Sequence, residues 1–453
     1  MYLALDRVAG IEVALKALSI EAKPWLEHAL SREFQMLSGL AVPGVARVLD
    51  FGLMPAENGR AHDHRQPFFV RTYIEGLTLK EAIDGNHVHG VDVLECMVQL
   101  AHILASVHRA GMVHGDIKPN NIILDGRGNP WLIDFGLAGY HAGGSLRGGT
   151  PAFMAPELLK GESPTTQSDV YGLGATLWYA LTGHAPFKRA SELADATSAR
   201  ALEVASRALC PEPSKRTAAA SEFAAALEAI APSLKKERAY QVFVPPMLRG
   251  DEANVTDLEL RVQRHLRHTK KEREPWSAWI AAEDGMGKSA LLTQLRWRLQ
   301  LSGIFVLHVD VRSHDAMGAM ESLAQQTRMW LQDNSSQDMS QSMRDSGEDA
   351  NFARLAKDMD ELARRMPFAL LIDNLDRAQV GMLEWLRALL YGNAKGALAV
   401  VATGRVLPEE LAFDTHVTLE ALGPAQVHQL TDAALGSVDD SVHRAIWQRT
   451  QGH

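Results

Sequence analysis

The stretch from His114 to Leu124, HGDIKPNNIIL, constrains this chain more than any other. It sets an acid, a lysine and an amide on one short loop ahead of an apolar strand, and a second acid follows at Asp134 in IDFGLA. Those residue types suit phosphoryl transfer, where positioning and charge neutralisation do most of the work. Asp116 can take the proton of an attacking hydroxyl, and Lys118 can neutralise charge on the moving phosphoryl group. Asn121 and Asp134 supply oxygen donors of the kind Mg²⁺ prefers. The glycine after Phe135 leaves the metal-binding segment free to turn.

Four segments in order then resemble one family, the bacterial eukaryotic-like Ser/Thr protein kinases. HGDIKPNN is similar to the catalytic loop and IDFG to the metal-binding loop. GTPAFMAPE resembles the end of the activation segment, and DVYGLGATLWYALTG the helix beneath the catalytic loop. The resemblance covers roughly the first half of the chain. It implies a bilobal kinase fold that uses ATP and Mg²⁺ and acts on Ser/Thr of protein substrates.

The likeness carries over residue by residue. Val13-Ala14-Leu15-Lys16 resembles the strand whose lysine holds the α- and β-phosphates, and Glu33 on the following helix is its expected partner, with Glu27 as second choice. Thr150 with Lys118 is similar to the pair marking Ser/Thr specificity. Glu157 and Arg216 resemble a buried salt bridge of the lower lobe, and Asp169 an acid that receives catalytic-loop N–H groups. His114 is expected to pack under Phe135 as a structural residue.

The chain also departs from the family. Arg71 stands where an apolar residue usually guards the adenine pocket, and Gly115 replaces the arginine that pairs with a phosphorylated loop, so control is expected from elsewhere. The chain opens where the glycine-rich loop should end. Either the start lies inside a longer reading frame or the lobe lacks its phosphate lid.

At 453 residues, two or three domains are expected. A formal charge of -9 gives no global reason to bind nucleic acid, which is not an expected partner. Cys96 and Cys210 cannot form a disulfide framework and read as buried thiols. No apolar run is long enough for a bilayer and no signal peptide is apparent, so the expected location is the cytoplasm, without membrane contact. His62, Asp63, His64, His87 and His89 complete no metal-ligand set. The basic run from Arg267 to Arg273 reads as a solvated helix face.

Residues 231–250 have linker composition, dividing a kinase-like domain at 1–230 from a second domain at 251–453. There, SAWIAAEDGMGKSALLTQL reads as strand, glycine-containing loop and helix. Gly285, Gly287, Lys288 and Ser289 fit a phosphate-cradling P-loop, with Ala282 in place of its first glycine. Phe368 to Asp373 is an apolar strand ending in an acid suited to a metal-bound nucleotide. Together these resemble the AAA-related, STAND-type P-loop ATPases of signal transduction, which implies a nucleotide-held switch. Asn374 stands where that family often has a second acid, and Asp376 is displaced by two residues, so slow hydrolysis is expected.

The fold class is therefore multidomain, α+β followed by α/β, with the N-lobe truncated at its start. The family continues past the point where this chain stops, and signalling partners are expected to act through that further region. Two other readings compete: a pseudokinase docking platform beside an ATPase switch, and a small-molecule phosphotransferase of the aminoglycoside or choline type, which shares H-G-D and I-D but lacks GTPAFMAPE and DVYGLG.

Overall fold

Alternating side chains on either side of Gly10, which turns with φ 67°, fold the start of the chain into a hairpin of β1 (Tyr2–Asp6) and β2 (Ile11–Ala17). In the computed structural model the described residues are 1–6, 10–18, 24–40, 42–54, 66–85, 87, 91–135, 151–186, 196–234, 252–267, 274–312, 316–331, 348–392, 396–435 and 439–452. They form two compact units. The first is built mainly from Met1–Asp50 with Pro67–Pro246, the second mainly from Met247–Asp432 with Val438–His453. No described helix is long and apolar enough to cross a membrane.

The first unit's upper sheet has the order β1-β2-β4-β3, with β3 at Val48–Met54 and β4 at Gln66–Thr72. The register sets Lys16 opposite Phe69 and Ala14 opposite Arg71, so all four side chains share one face. Helix α1 (Pro24–Ser38) carries Leu30, Phe34 and Leu37 at helical spacing, all buried. That spacing puts Glu33 on the buried side as well.

Below lies a small antiparallel sheet of β5 (Gly76–Thr78), β6 (Ile122–Asp125) and β7 (Pro130–Leu132). Helices follow: α2 (Leu79–Asp84), α3 (Val91–Arg109), α4 (Pro156–Leu159), α5 (Thr166–Thr182), α6 (Ala196–Ala208) and α7 (Ala220–Ile230). Leu100, Leu104 and Val107 of α3, Val170, Leu173 and Leu177 of α5, and Phe223 and Leu227 of α7 are fully enclosed. Each such side chain contributes roughly 1.5–3 kcal/mol by leaving water. A capping box fixes the start of α5, with Thr165 accepting from Ser168 N and Ser168 Oγ accepting from Thr165 N. Cys96 is enclosed and its thiol is pushed up to about 12 by burial, whereas Cys210 is half-buried, correcting the expectation of two buried thiols.

In the second unit five parallel strands stand in the order β12-β8-β11-β10-β9. They are β8 (Trp276–Ala281), β9 (Phe305–Asp310), β10 (Phe368–Asp373), β11 (Leu398–Gly404) and β12 (Thr415–Thr418). Parallel strands covered on both faces need unbroken apolar runs, and β10 and β11 are buried at every residue. Phe368, Leu370 and Ile372 face one core, while Ala369 and Leu371 face the other. Helices α8 (Glu252–Arg267) and α9 (Lys288–Leu301) line the second core. Helices α10 (Ala316–Leu331), α11 (Glu348–Arg365) and α12 (Val380–Tyr391) line the first, and α13 (Pro424–Leu435) and α14 (Asp440–Thr450) end the unit.

One polar contact inside the lower lobe is a buried two-pronged ion pair. Arg216 Nη1 donates to Glu157 Oε1 at 2.8 Å and Nη2 to Oε2 at 3.1 Å. Arg216 Nη1 also donates to the Gln167 carbonyl at 2.7 Å, tying the pair to α5. Burial pushes the Glu157 carboxyl up, but the guanidinium outweighs it and holds the group below the usual carboxylate range. Arg216→Ala strands this carboxylate and is expected to cost about 3–5 kcal/mol. Chemical denaturation of the full chain tests this, and adding Glu157→Ala should return part of the loss in a double-mutant cycle.

Candidate active site

Burial is what makes the upper part of the site a set of paired charges, because an enclosed ion without a partner is costly. Lys16 reaches from β2 and donates to Glu33 Oε1 of α1 at 2.5 Å. The fold selects Glu33, 1% exposed, over Glu27 as the lysine's partner. The ammonium also lies 3.5 Å from Asp134 Oδ1 and over the Phe69 ring at 5.6 Å. Arg71 of β4 donates to the same Asp134 oxygen at 3.0 Å. Burial pushes the Asp134 carboxyl up, yet Arg71 and Lys16 together hold it below its ordinary value. Burial also raises Glu33, and Lys16 offsets only part of that.

The catalytic loop is held from below by one acid. Asp169 of α5, 1% exposed, accepts from His114 N at 2.8 Å and Gly115 N at 2.7 Å, and its Oδ2 lies 2.9 Å from His108 Nε2. Gly115 turns with φ 77°, a conformation that favours glycine. His114 is enclosed, packed at a tilt against Phe135 with ring centroids 4.3 Å apart, with Nε2 3.1 Å from the Ile133 carbonyl and Nδ1 accepting from Asp116 N at 3.3 Å. One neutral tautomer satisfies both contacts, and burial lowers this imidazole's pKa. His114 is therefore a structural post for the loop.

On that loop Lys118 Nζ donates to Asp116 Oδ2 at 2.6 Å, and Asn121 Nδ2 donates to the same oxygen at 2.8 Å. Asn121 Nδ2 also reaches the Asp116 carbonyl at 2.9 Å and the Asp134 carbonyl at 3.4 Å. The structure thus joins Asp116, Lys118, Asn121 and Asp134 in one network, connected through Asp134 to Lys16 and Glu33. Asp116 Oδ1 and Asn121 Oδ1 have no hydrogen-bond partner among the described residues. A hollow beside the loop is lined by Asp116, Phe153, Met154, Ala155, Leu158 and Gly172.

Asp134 itself has φ 54°, a left-handed conformation uncommon outside glycine. Thr150 lies outside the described residues, as do His62, Asp63, His64, His89 and most of 231–250. Two contributors were not singled out as functional in the sequence. His108 reads simply as part of an apolar helix face. The close approach of α5 to the loop shows only in three dimensions: a Cβ at Gly172 would lie 2.7 Å from Ile117 Cβ.

In the second unit, parallel strands bring the ends of β8 and β10 to one edge of the sheet. The loop leaving β8 turns through Gly285 at φ 88° and Gly287 at φ 87°, and α9 begins at Lys288 with Ser289 in its first turn. Lys288, 6% exposed, folds back to donate to the carbonyls of Ala282 at 2.7 Å and Glu283 at 2.9 Å. At the end of β10, Asp373 is buried and accepts from Thr403 Oγ1. Asn374 follows at φ 59°, and its amide donates to Asp310 Oδ1 at 2.8 Å. Asp376 sits beside Gly404 at the end of β11, where a Cβ would come within 2.7 Å of Asp376 Oδ1. Arg377 and Asp284, at 3.3 Å, link the two loops.

Comparison with known proteins bears on the first unit. The chain is similar to the serine/threonine-protein kinase PknK of Mycobacterium tuberculosis (strain ATCC 25618 / H37Rv), 40% identical over 196 residues, or 41% of this chain and 16% of that protein. It is similar to PrkC of Bacillus subtilis (strain 168), 34% identical over 197 residues, covering 41% of this chain and 29% of that one. With PknL of Mycobacterium bovis (strain ATCC BAA-935 / AF2122/97) it shares 32% identity over 257 residues, 52% of this chain and 63% of that one. The match thus spans less than two thirds of the length of each relative. A family model described as the protein kinase domain matches residues 1–241, more than half of the 453, and the chain belongs to the protein kinase family.

Proposed function

We propose that residues 1–230 transfer the γ-phosphate of ATP to Ser/Thr hydroxyls of proteins, and that residues 251–453 bind nucleotide as a regulatory switch, with 231–250 as linker. The observation that carries the first part is the continuous network from Glu33 and Lys16 through Asp134 to Asn121, Asp116 and Lys118.

In this reading Lys16, held by Glu33, faces the α- and β-phosphates. Asp116, whose Oδ2 is fixed by Lys118 and Asn121, accepts the acceptor hydroxyl's proton on Oδ1. Lys118, two residues away, neutralises charge on the phosphoryl group in transit. The oxygen donors of Asn121 and Asp134 fit a hard divalent ion, and Asn121 turns its nitrogen to protein carbonyls, leaving its Oδ1 for a ligand. When bound, Mg²⁺ would neutralise phosphate charge. The buried Glu157–Arg216 pair and the Asp169 clamp favour a protein acceptor over a small alcohol, because the small-molecule phosphotransferases lack the segments that supply them. Asp116→Asn is expected to lower ³²P transfer from ATP to a protein acceptor by ~10²–10⁴-fold. Unchanged labelling would refute the assigned base, and labelling of a small alcohol with no labelled protein would overturn the substrate class.

The second unit's reading is supported by Lys288 folded within a glycine loop at a helix start and by buried Asp373 at the same sheet edge. The first turn of such a helix presents unpaired N–H groups to phosphate, with Gly285, Gly287 and Ser289 in position to contribute. Asn374 spends its amide on Asp310 and offers no carboxylate, which supports slow hydrolysis. Calorimetric titration of the whole chain with ATP and Mg²⁺ should count two sites. Lys288→Ala removes a charge-assisted contact and should weaken one of them by about tenfold or more; a single site in the unaltered chain would sink the switch.

A further inference from the structure

The side chain in the site that the phosphotransfer reading leaves without a task is Arg71. Strand alternation places it on the same face as Phe69, and it is 4% exposed. A guanidinium is almost never so enclosed unless paired. Its Nη1 meets Asp134 Oδ1 at 3.0 Å, and among the described residues its Nη2 meets only a weak acceptor, the Met1 thioether, at 2.8 Å. Lys16 is 3.5 Å from that same Asp134 oxygen and 2.5 Å from Glu33. Two cations and two carboxylates therefore form a set whose formal charges cancel. Without Arg71 the same set would carry one net negative charge, the condition that attracts a metal ion.

We infer that Arg71 is a built-in counter-ion of Asp134 that competes with divalent metal for this carboxylate, so that Mg²⁺ is taken up only as the guanidinium is displaced. This deepens the phosphotransfer reading and rests on its assignment of Asp134 to the metal. A metal ligated by Asp134 would lie ~2.0–2.1 Å from a carboxylate oxygen. With the guanidinium still 3.0 Å from Oδ1, two like charges would crowd one half-buried carboxylate. The alternation of β4 makes this arginine part of the site wall, so its charge acts wherever nucleotide and metal enter together. Arg71 is accordingly a positioning residue that sets the metal requirement.

The test is a Mg²⁺ titration at fixed fluorescent N-methylanthraniloyl-ATP, using the whole chain with Lys288→Ala to weaken the second nucleotide site. Arg71→Met removes the charge and keeps an unbranched side chain, and Arg71→Gln keeps a donor without charge. Either is expected to lower the half-saturating Mg²⁺ concentration by about tenfold, since a neighbouring cation shifts a carboxylate's affinity for positive charge by at least that much. Arg71→Lys, which keeps the charge but loses the fork, should fall between. An unchanged or raised half-point in the neutral variants overturns the inference; a rise would mean that the guanidinium supplies charge the metal otherwise provides. Asp134→Asn separates the two levels: if it leaves the Mg²⁺ dependence intact, the metal assignment itself fails, whatever Arg71 does.

Discussion

A single enclosed carboxylate carries the lower half of the site. Asp169 gathers two consecutive backbone N–H groups of the catalytic loop and the His108 ring onto its oxygens. A buried acid is tolerable only with such partners, and a backbone turn through Gly115 presents its N–H groups to one acceptor only in that geometry. The dependence runs both ways, since the loop is shaped by the acid and the acid is kept in place by the loop. His114 then links the same loop to Ile133, one residue before Asp134. Asp116, Asp134 and the supporting helix are thus parts of one hydrogen-bonded unit.

Much of this was legible in the sequence because its determinants are local. HGDIKPNN carries its acid, lysine and amide within one loop, and strand β6 follows directly, so spacing fixes the geometry. The pairing of Glu157 with Arg216 and of Lys16 with Glu33 was also within reach, though only through resemblance to a family. Helical periodicity alone leaves Glu27 and Glu33 both open. The burial of Glu33 against β2 decides between them.

What stayed illegible depends on distance along the chain. Arg71 was visible as an anomaly, yet its partner is 63 residues away and known only once the strand and the segment carrying Asp134 meet. In the same way Asn374 was noticed as a missing acid, but its left-handed turn and its bond to Asp310, 64 residues back, come from the packing of β9 beside β10. His108 shows the limit of pattern reading, since the same helix face that buries Leu104 also delivers a polar ring to Asp169. Cys210 shows a smaller one, a thiol left half-buried at the end of α6.

The glycines of α5 have a consequence for how this protein can vary. A Cβ at Gly172 would sit 2.7 Å from Ile117 Cβ, and one at Gly174 would sit 2.7 Å from Ala208 Cβ. Two positions apart on a helix point to nearly opposite sides, so α5 is wedged between the catalytic loop and α6 with its backbone as the spacer. Side chains can absorb a neighbour's change by switching rotamer, but backbone against backbone has no such slack. Drift in the outer layers of the lower lobe can therefore be taken up by rotamers there, while the separation between α5 and Ile117 stays at the thickness of a bare chain.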